Sequence, residues 1–354
     1  MFSLTDISKL KVIVVGADWY GDWAKNFHAA FAHLGVSAEI IYNNSLPVST
    51  NVLERGKRLL RRLSPVAIAA VKNWRQRLSE RELLNKISSL SFPNGKIIVV
   101  FVWTPPSEKI LSELKKMPSV KLVLWQGEPT VRDSSWEQKF DYFDEVFIVD
   151  DDWKWPLSEK NKKRVRLLPL ASDEKVFRPL GFEVAEKYRS EVAFIGQYQP
   201  ARAEIFSVLA GRDLKIYGYG WHKGFKEFPW LKEKYAGALS AAEANYVYNG
   251  AKVNIGSLVF DPFTPATPFT TTTARMFDIA LAGGFQIAGY VALTERLFGN
   301  SVKMFRNKNE LRSSVDYYLN HSKERKALAA KSRKIALNNH TYVCRAKEVL
   351  RICF

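Results

Sequence analysis

The stretch KVIVVGADWYGDWAKNFHAAFAHLGVSAEIIY, Lys11 to Tyr42, decides how the chain is read. Lys11–Val15 is a near-continuous apolar run of β-branched residues, the pattern of a strand covered on both faces. Gly16 to Gly21 punctuate its end. Ala24–Leu34 then carries Phe27, Ala30, Phe31 and Leu34 at helical spacing, and Ala38–Tyr42 returns to strand chemistry. Strand, turn, helix and strand in this order predict a right-handed βαβ unit of a parallel sheet.

The rhythm continues outward. Lys96–Val102, Val120–Trp125 and Glu145–Val149 are further strand candidates. Leu167–Pro179 is bracketed by prolines and lacks periodicity, as a linker would. A second series follows: strand Val192–Ile195, helix Arg202–Leu209, strand Leu214–Tyr217, helix Ala241–Asn249, strand Lys252–Ile255, helix Arg275–Ala282 and strands Phe285–Ala288 and Val302–Phe305. Lys308 to Leu350 reads as two or three helices. The expectation is an α/β protein of two Rossmann-like, doubly wound domains facing a central cleft. The boundaries fall at 1–168 for the first domain, 169–181 for the linker, 182–338 for the second domain and 339–354 for a C-terminal helix that packs back on the first.

Composition narrows the function. The chain has 354 residues, 47% hydrophobic and 25% charged, an ordinary globular balance that excludes disordered and fibrous classes. Lys+Arg 53 against Asp+Glu 36 gives a formal net charge of +17, which favours an anionic partner. Two cysteines, Cys344 and Cys353, build no disulfide framework, and the five histidines show no metal-ligand spacing. The start lacks a secretory signal, and the apolar run Ile279 to Thr294 is short and broken by glycine, so no spanning helix is expected.

Between Arg55 and Arg77 stand eight basic residues and no acidic one, interleaved with Leu59, Leu60, Leu63, Ile68, Val71 and Trp74 at mostly helical spacing interrupted by Pro65. Three readings stay open: a face for an anionic bilayer, a packed surface helix, or a nucleic-acid patch.

Several loops at strand ends carry chemistry. Gly16-Ala17-Asp18-Trp19-Tyr20-Gly21 lacks the G-x-G-x-x-G pattern, because Asp18 stands at the second glycine, which argues against a dinucleotide turn. Asp18 is a candidate catalytic carboxylate or a solvated turn residue, and Trp19 and Tyr20 are candidate acceptor-stacking rings. Glu128, in Trp125-Gln126-Gly127-Glu128-Pro129, is a second candidate base or a cap. Asp150-Asp151-Asp152 reads as a loop or helix cap, not as a metal site. In the second half, Gly196 and Gln197 follow one strand, and Tyr217 and Gly218 follow the next. There glycine lets a ligand approach the backbone, and an aromatic ring can stack on a base. Thr270-Thr271-Thr272-Thr273 precedes a helix, so Thr271, Thr272 or Thr273 supplies the N-cap and the free N–H groups form an anion site. Arg275 sits in the first turn, where the helix dipole disfavours a cation, a placement explained by a phosphate partner. Asp278 shares its face at i, i+3 and can hold ribose hydroxyls, or pair with Arg275.

Arg275-Met276-Phe277-Asp278-Ile279-Ala280-Leu281-Ala282-Gly283-Gly284-Phe285-Gln286-Ile287 resembles the R-x-F-E-x-x-A-x-G-x-F segment of the CgeB-like glycosyltransferases, within the wider GT-B group that includes the family 4-type enzymes. Leu168-Pro169-Leu170-Ala171, with Asp173 and Val176-Phe177-Arg178-Pro179, looks like that family's interdomain linker. Phe194-Ile195-Gly196 looks like the opening of its nucleotide domain, Lys252-Val253-Asn254-Ile255 like its strand before the sugar-nucleotide loop, and His340-Thr341-Tyr342 like its closing segment. The resemblance covers about residues 165–350. It implies transfer of a sugar from a nucleotide-diphosphate donor held by the second domain to a glycan, lipid-linked or envelope acceptor held by the first. It places Asp278 on the ribose or donor sugar, and Arg275, Thr271–Thr273 and Gly196 on the pyrophosphate. Thr270 stands where family 4-type enzymes carry a first glutamate.

The expected chemistry is metal-independent and retaining, with no cofactor beyond the donor sugar nucleotide. The expected partners are that donor, the acceptor and an anionic membrane surface through Arg55–Arg77, with no nucleic acid. The expected location is cytoplasmic, with peripheral attachment to the inner membrane face. The competing functions are a nucleotide- or nucleic-acid-binding α/β protein without transferase activity, and a GT-B-like sugar-nucleotide epimerase.

Overall fold

The computed structural model describes residues 9–17, 23–42, 65–89, 95–103, 105–127, 135–149, 159–256 and 272–354. The chain divides into two compact units. The first runs to Leu168 and takes in the last ten residues, Arg345–Phe354, and the second spans Pro169–Cys344. Asp18, Trp19, Tyr20, Glu128, Asp150–Asp152, Thr270, Thr271 and the basic residues Arg55 to Arg62 lie outside the described residues.

The first unit holds six strands: β1 (Leu10–Gly16), β2 (Ser37–Tyr42), β3 (Lys96–Val102), β4 (Val120–Gln126), β5 (Glu145–Ile148) and β6 (Val165–Leu167). They form one parallel sheet in the order β2-β1-β3-β4-β5-β6. The central strands are buried along nearly their whole length, which is why their sequences are apolar rather than alternating. Trp23–His33 is the first crossover helix, and Phe27 and Phe31 on it are fully buried. Strand β6 was not legible in the sequence: three residues, one of them Arg166, present no apolar run, and pairing with β5 is what makes them a strand.

Pro65 does not interrupt the basic helix. It begins it, and the helix runs from Pro65 to Ser88. A proline in the first turn gives up no hydrogen bond and is already set at a helical φ. Leu83 and Ile87 near the far end are buried, and buried Glu80 accepts hydrogen bonds from the Ser107 N–H and hydroxyl at 2.7 Å each. Trp74 and Leu78 are exposed, at 60% and 43%. This helix therefore docks by its last two turns and carries an exposed aromatic ring nearer its start.

The second unit repeats the plan with β7 (Ser190–Ile195), β8 (Leu214–Tyr217), β9 (Ala251–Ile255), β10 (Gln286–Gly289) and β11 (Lys303–Phe305), in the order β11-β10-β9-β7-β8, all parallel. Helices Lys308–Asn320, Ser322–Asn339 and Tyr342–Cys353 close the chain. The linker is latched to this unit. Asn245 Oδ1 accepts from the Arg178 N–H and its Nδ2 donates to the Arg178 carbonyl, both at 3.1 Å, while Asn249 Oδ1 accepts from the Leu180 N–H at 3.0 Å. The two asparagines lie four apart on helix Ala241–Gly250, on one face. Among the described residues no helix is long and apolar enough to cross a membrane.

Candidate active site

In the second sheet the strand order reverses between β7 and β9, and open α/β sheets bind ligands beyond the carboxyl ends of the strands at such a point. Gly196 follows β7 and Gly256 follows β9. Arg275, in the first turn of helix Ala274–Ala282, reaches both. Its Nη1 donates to the Gly256 carbonyl at 2.7 Å, and its guanidinium lies 4.6 Å from the centre of the Phe194 ring. A Cβ built on Gly196 would come within 2.7 Å of Arg275 Nη2, so a side chain at 196 would displace the guanidinium. Partial burial pushes the Arg275 pKa down, with Tyr248 and Asp278 acting the other way. Among the described residues no carboxylate lies within ion-pair distance of this cation, and Asp278, one turn along, forms no ion pair with it. The guanidinium is thus half-buried, stacked on a ring and held between two strand ends.

Asp278 is in a different electrostatic position. Burial pushes its pKa up to about 7, against the Ser172 hydroxyl and the Arg275 charge, which both favour the carboxylate. Ser172 comes from the linker and is held there by the closing segment. Its N–H donates to the His340 carbonyl at 3.2 Å, and Ser172 bridges Thr341 in parallel. His340 in turn packs on Phe277 and Phe298, with ring centres 5.2 and 5.3 Å away. His340-Thr341 thus locates Ser172 beside Asp278.

Thr273 is the N-cap of the helix, but its hydroxyl donates to the Gly256 carbonyl at 3.3 Å instead of accepting a capping bond. Thr272 is fully buried. Gly218 has φ of 122°, and a Cβ there would meet the Gly196 carbonyl oxygen at 2.3 Å. The Gly196 carbonyl accepts the Trp221 indole N–H at 2.8 Å. Gly218, after β8, therefore lets its turn touch the β7 turn at Gly196, while Gly196 leaves room for Arg275 and Phe194. Gln197 is exposed, and its carbonyl accepts from Arg202 Nη1 at 2.5 Å.

Tyr217 is a correction. Its ring is 2% exposed, its hydroxyl donates to the Lys187 carbonyl at 3.2 Å, and burial pushes its pKa up to about 12. No face is left for a base to stack on. The exposed ring of that turn is Tyr219, at 68%. Sequence reasoning missed Phe194, Ser172, Tyr248 and Arg202. Arg202 lies 5.5 Å from the Phe194 ring centre and is a second arginine in the first turn of a helix, Pro200–Phe206, the same signal that singled out Arg275. The first unit's candidates, Asp18, Trp19, Tyr20 and Glu128, lie outside the described residues.

Comparison with known proteins agrees with this geometry. Residues 199–351 match the family model described as "Glycosyl transferase-like". The whole chain superposes on sucrose-phosphate synthase from Thermosynechococcus elongatus with a TM-score of 0.67 at 10% identity, covering 97% of this chain and 98% of that one. It superposes on the trehalose-6-phosphate phosphatase N-terminal domain of Candida albicans at 0.64 and 11% identity, covering 100% and 98%. For Anabaena HepE in complex with UDP-glucose the values are 0.60 and 9%, covering 97% and 99%. The fold is GT-B. No curated protein matches the sequence. Fold and domain match together support a glycosyltransferase, and the five-stranded second sheet repeats the order of the first five strands of the six-stranded first.

Proposed function

We propose that this GT-B protein transfers a sugar from a nucleotide-diphosphate donor bound by its second unit, and that it resembles the CgeB-like enzymes in doing so. The observation that carries the reading is Arg275, a half-buried cation at the switch point of the second sheet with no carboxylate partner among the described residues. In this reading the diphosphate takes the open side of the Arg275 guanidinium and the helix N-terminus at Thr273. As the glycosidic bond breaks, charge grows on the leaving diphosphate, and fixed N–H donors stabilise it without a metal. Asp278 holds a hydroxyl of the ribose or the donor sugar. The bound donor named in the HepE structure, UDP-glucose, is of the right chemical class.

The acceptor is proposed to be a glycan on a lipid-linked or envelope carrier, approached from an anionic membrane face by the basic helix. The support is the run of eight basic residues from Arg55 to Arg77 with exposed Trp74. The route is proposed as retaining. Asp18 and Glu128 are the candidate bases should the acceptor hydroxyl need one.

The test is turnover. Nucleotide-diphosphate release from a panel of nucleotide sugars, in the presence of a membrane extract as acceptor source, is expected for at least one donor. Arg275→Ala should reduce kcat by about 10²–10³-fold, the size of effect seen when one transition-state donor is removed. Undiminished release in Arg275→Ala contradicts the assignment.

A further inference from the structure

Strand β10 opens with a residue that packing alone does not explain. Gln286 is 1% exposed, and Ile287 and Ala288 after it are buried and apolar. Its carboxamide faces two ways. Nε2 donates to the Met276 carbonyl at 2.9 Å, in the first turn of helix Ala274–Ala282. Oε1 has no hydrogen-bond partner among the described residues. It lies against Gly256 after β9, where a built Cβ would come within 2.7 Å of it. A buried amide satisfied on one side only is unfavourable beside a leucine of similar volume.

The two residues that this carboxamide touches are the two that place Arg275. Met276 is the next residue in the chain, and the Gly256 carbonyl accepts from Arg275 Nη1 at 2.7 Å. The Gly256 N–H donates to the Ile287 carbonyl at 2.9 Å, which fixes Gly256 beside Gln286. Arg275, Gly256, Gln286 and Met276 therefore form a closed ring of contacts. Inside it the carboxamide sets the gap between the helix start and the strand end, and the guanidinium bridges that gap. The same contact accounts for glycine at 256, since a side chain there would drive the carboxamide aside and would also meet Met276 Cγ at 3.2 Å.

We infer that Gln286 is a positioning residue: its carboxamide, wedged between Met276 and Gly256, sets the direction of the Arg275 guanidinium. Its consequence for nucleotide binding rests on the donor reading above, while its hold on Arg275 rests on the contacts alone. Leucine at 286 fills the same volume but removes the tie to Met276 and the polar contact at Gly256. Arg275 then keeps its charge and loses its fixed orientation. Hydrogen bonds from a guanidinium depend steeply on angle, so a misdirected fork holds an anion less well. Locking the rotamer of a binding residue from behind is how a supporting shell raises affinity without touching the ligand.

The experiment has two readouts on the full chain. Isothermal titration with UDP, GDP, ADP, CDP and TDP compares wild type, Gln286→Leu, Arg275→Ala and the double variant. Gln286→Leu should weaken the best-binding nucleotide about tenfold and add nothing in the Arg275→Ala background, because residues that act through one contact are not additive. Gly256→Ala, which displaces the carboxamide, should reproduce the loss, and Gln286→Met replaces Gln286→Leu if the leucine variant does not fold. The second readout needs no ligand. In nitrogen-15 NMR of the arginine side chains, the Arg275 signals are those missing from Arg275→Ala. They should shift and exchange faster in Gln286→Leu. Arg275 signals that stay as in wild type, or a loss of affinity that persists in the Arg275→Ala background, overturn the role. A glutamine that only packs would lower the melting temperature and move neither readout. Absence of nucleotide binding in the wild type would contradict the donor reading, and the Arg275 signals would then decide the role of Gln286 by themselves.

Discussion

At the residue scale, Arg275 and Asp278 share one helix face, and burial shifts their pKa values in opposite directions. Burial favours the neutral form of Asp278, whose folded pKa near 7 lies above the ordinary value of 3.8. The folded state therefore binds more protons than the unfolded state between those limits, and this group's contribution to stability falls as pH rises from about 4 to about 7, then stays level. Asp278→Asn removes that loss. Its melting temperature should match wild type near pH 4.5 and exceed it by a growing margin up to pH 7.5, and a constant difference across that range would contradict the assigned burial effect. The same variant should weaken nucleotide binding while leaving free pyrophosphate binding intact. Helical spacing in the sequence was enough to find this pair. It did not reveal Phe194 under Arg275 or Ser172 beside Asp278, because both come from distant segments joined only by the parallel sheet and by the Ser172–Thr341 bridge. Tyr217 misled because an aromatic residue at a strand end looks the same in sequence whether its ring faces solvent or the core.

At the element scale, strands β1, β3 and β4 were legible because doubly covered strands are apolar along nearly their whole length. What was not legible is how the turns after strands pack. Gly196 and Gly218 read as ligand-cradling glycines, and the structure shows that Gly218 lets the β8 turn touch the β7 turn while Gly196 leaves room for Arg275. Gly218→Ala should lower stability by about 2–4 kcal/mol, combining a disfavoured φ with a clash against the Gly196 carbonyl. The shift should appear in the denaturation midpoint, and a loss below about 0.5 kcal/mol would place the effect among ordinary surface substitutions. The linker gives a second test. Asn245→Ala breaks two hydrogen bonds to Arg178 and leaves its backbone groups unpaired, so a loss of about 1–3 kcal/mol is expected in urea unfolding, with little change in slope. Neither asparagine stood out in the sequence, since an Asn pair at i, i+4 has no apolar signature.

At the scale of the whole molecule, the formal charge of +17 is concentrated in part along Arg55–Arg77, and the exposed Trp74 lies within that run. Each basic residue near an anionic surface contributes about 1 kcal/mol, so the protein should sediment with phosphatidylserine vesicles and release as salt rises. Changing Arg58, Arg61, Arg62 and Arg75 together to Gln should abolish sedimentation, and equal pelleting of both proteins would sink the membrane reading. The donor site is the central claim, and thermal denaturation with UDP, GDP, ADP, CDP and TDP at millimolar concentration tests it most directly. Ligand at about 100 times its dissociation constant stabilises the native state by about 2.7 kcal/mol. At least one nucleotide diphosphate should therefore raise the melting temperature of the wild type by several degrees and leave Arg275→Ala nearly unmoved. A melting temperature that none of the five shifts, or an equal shift in wild type and Arg275→Ala, would contradict it.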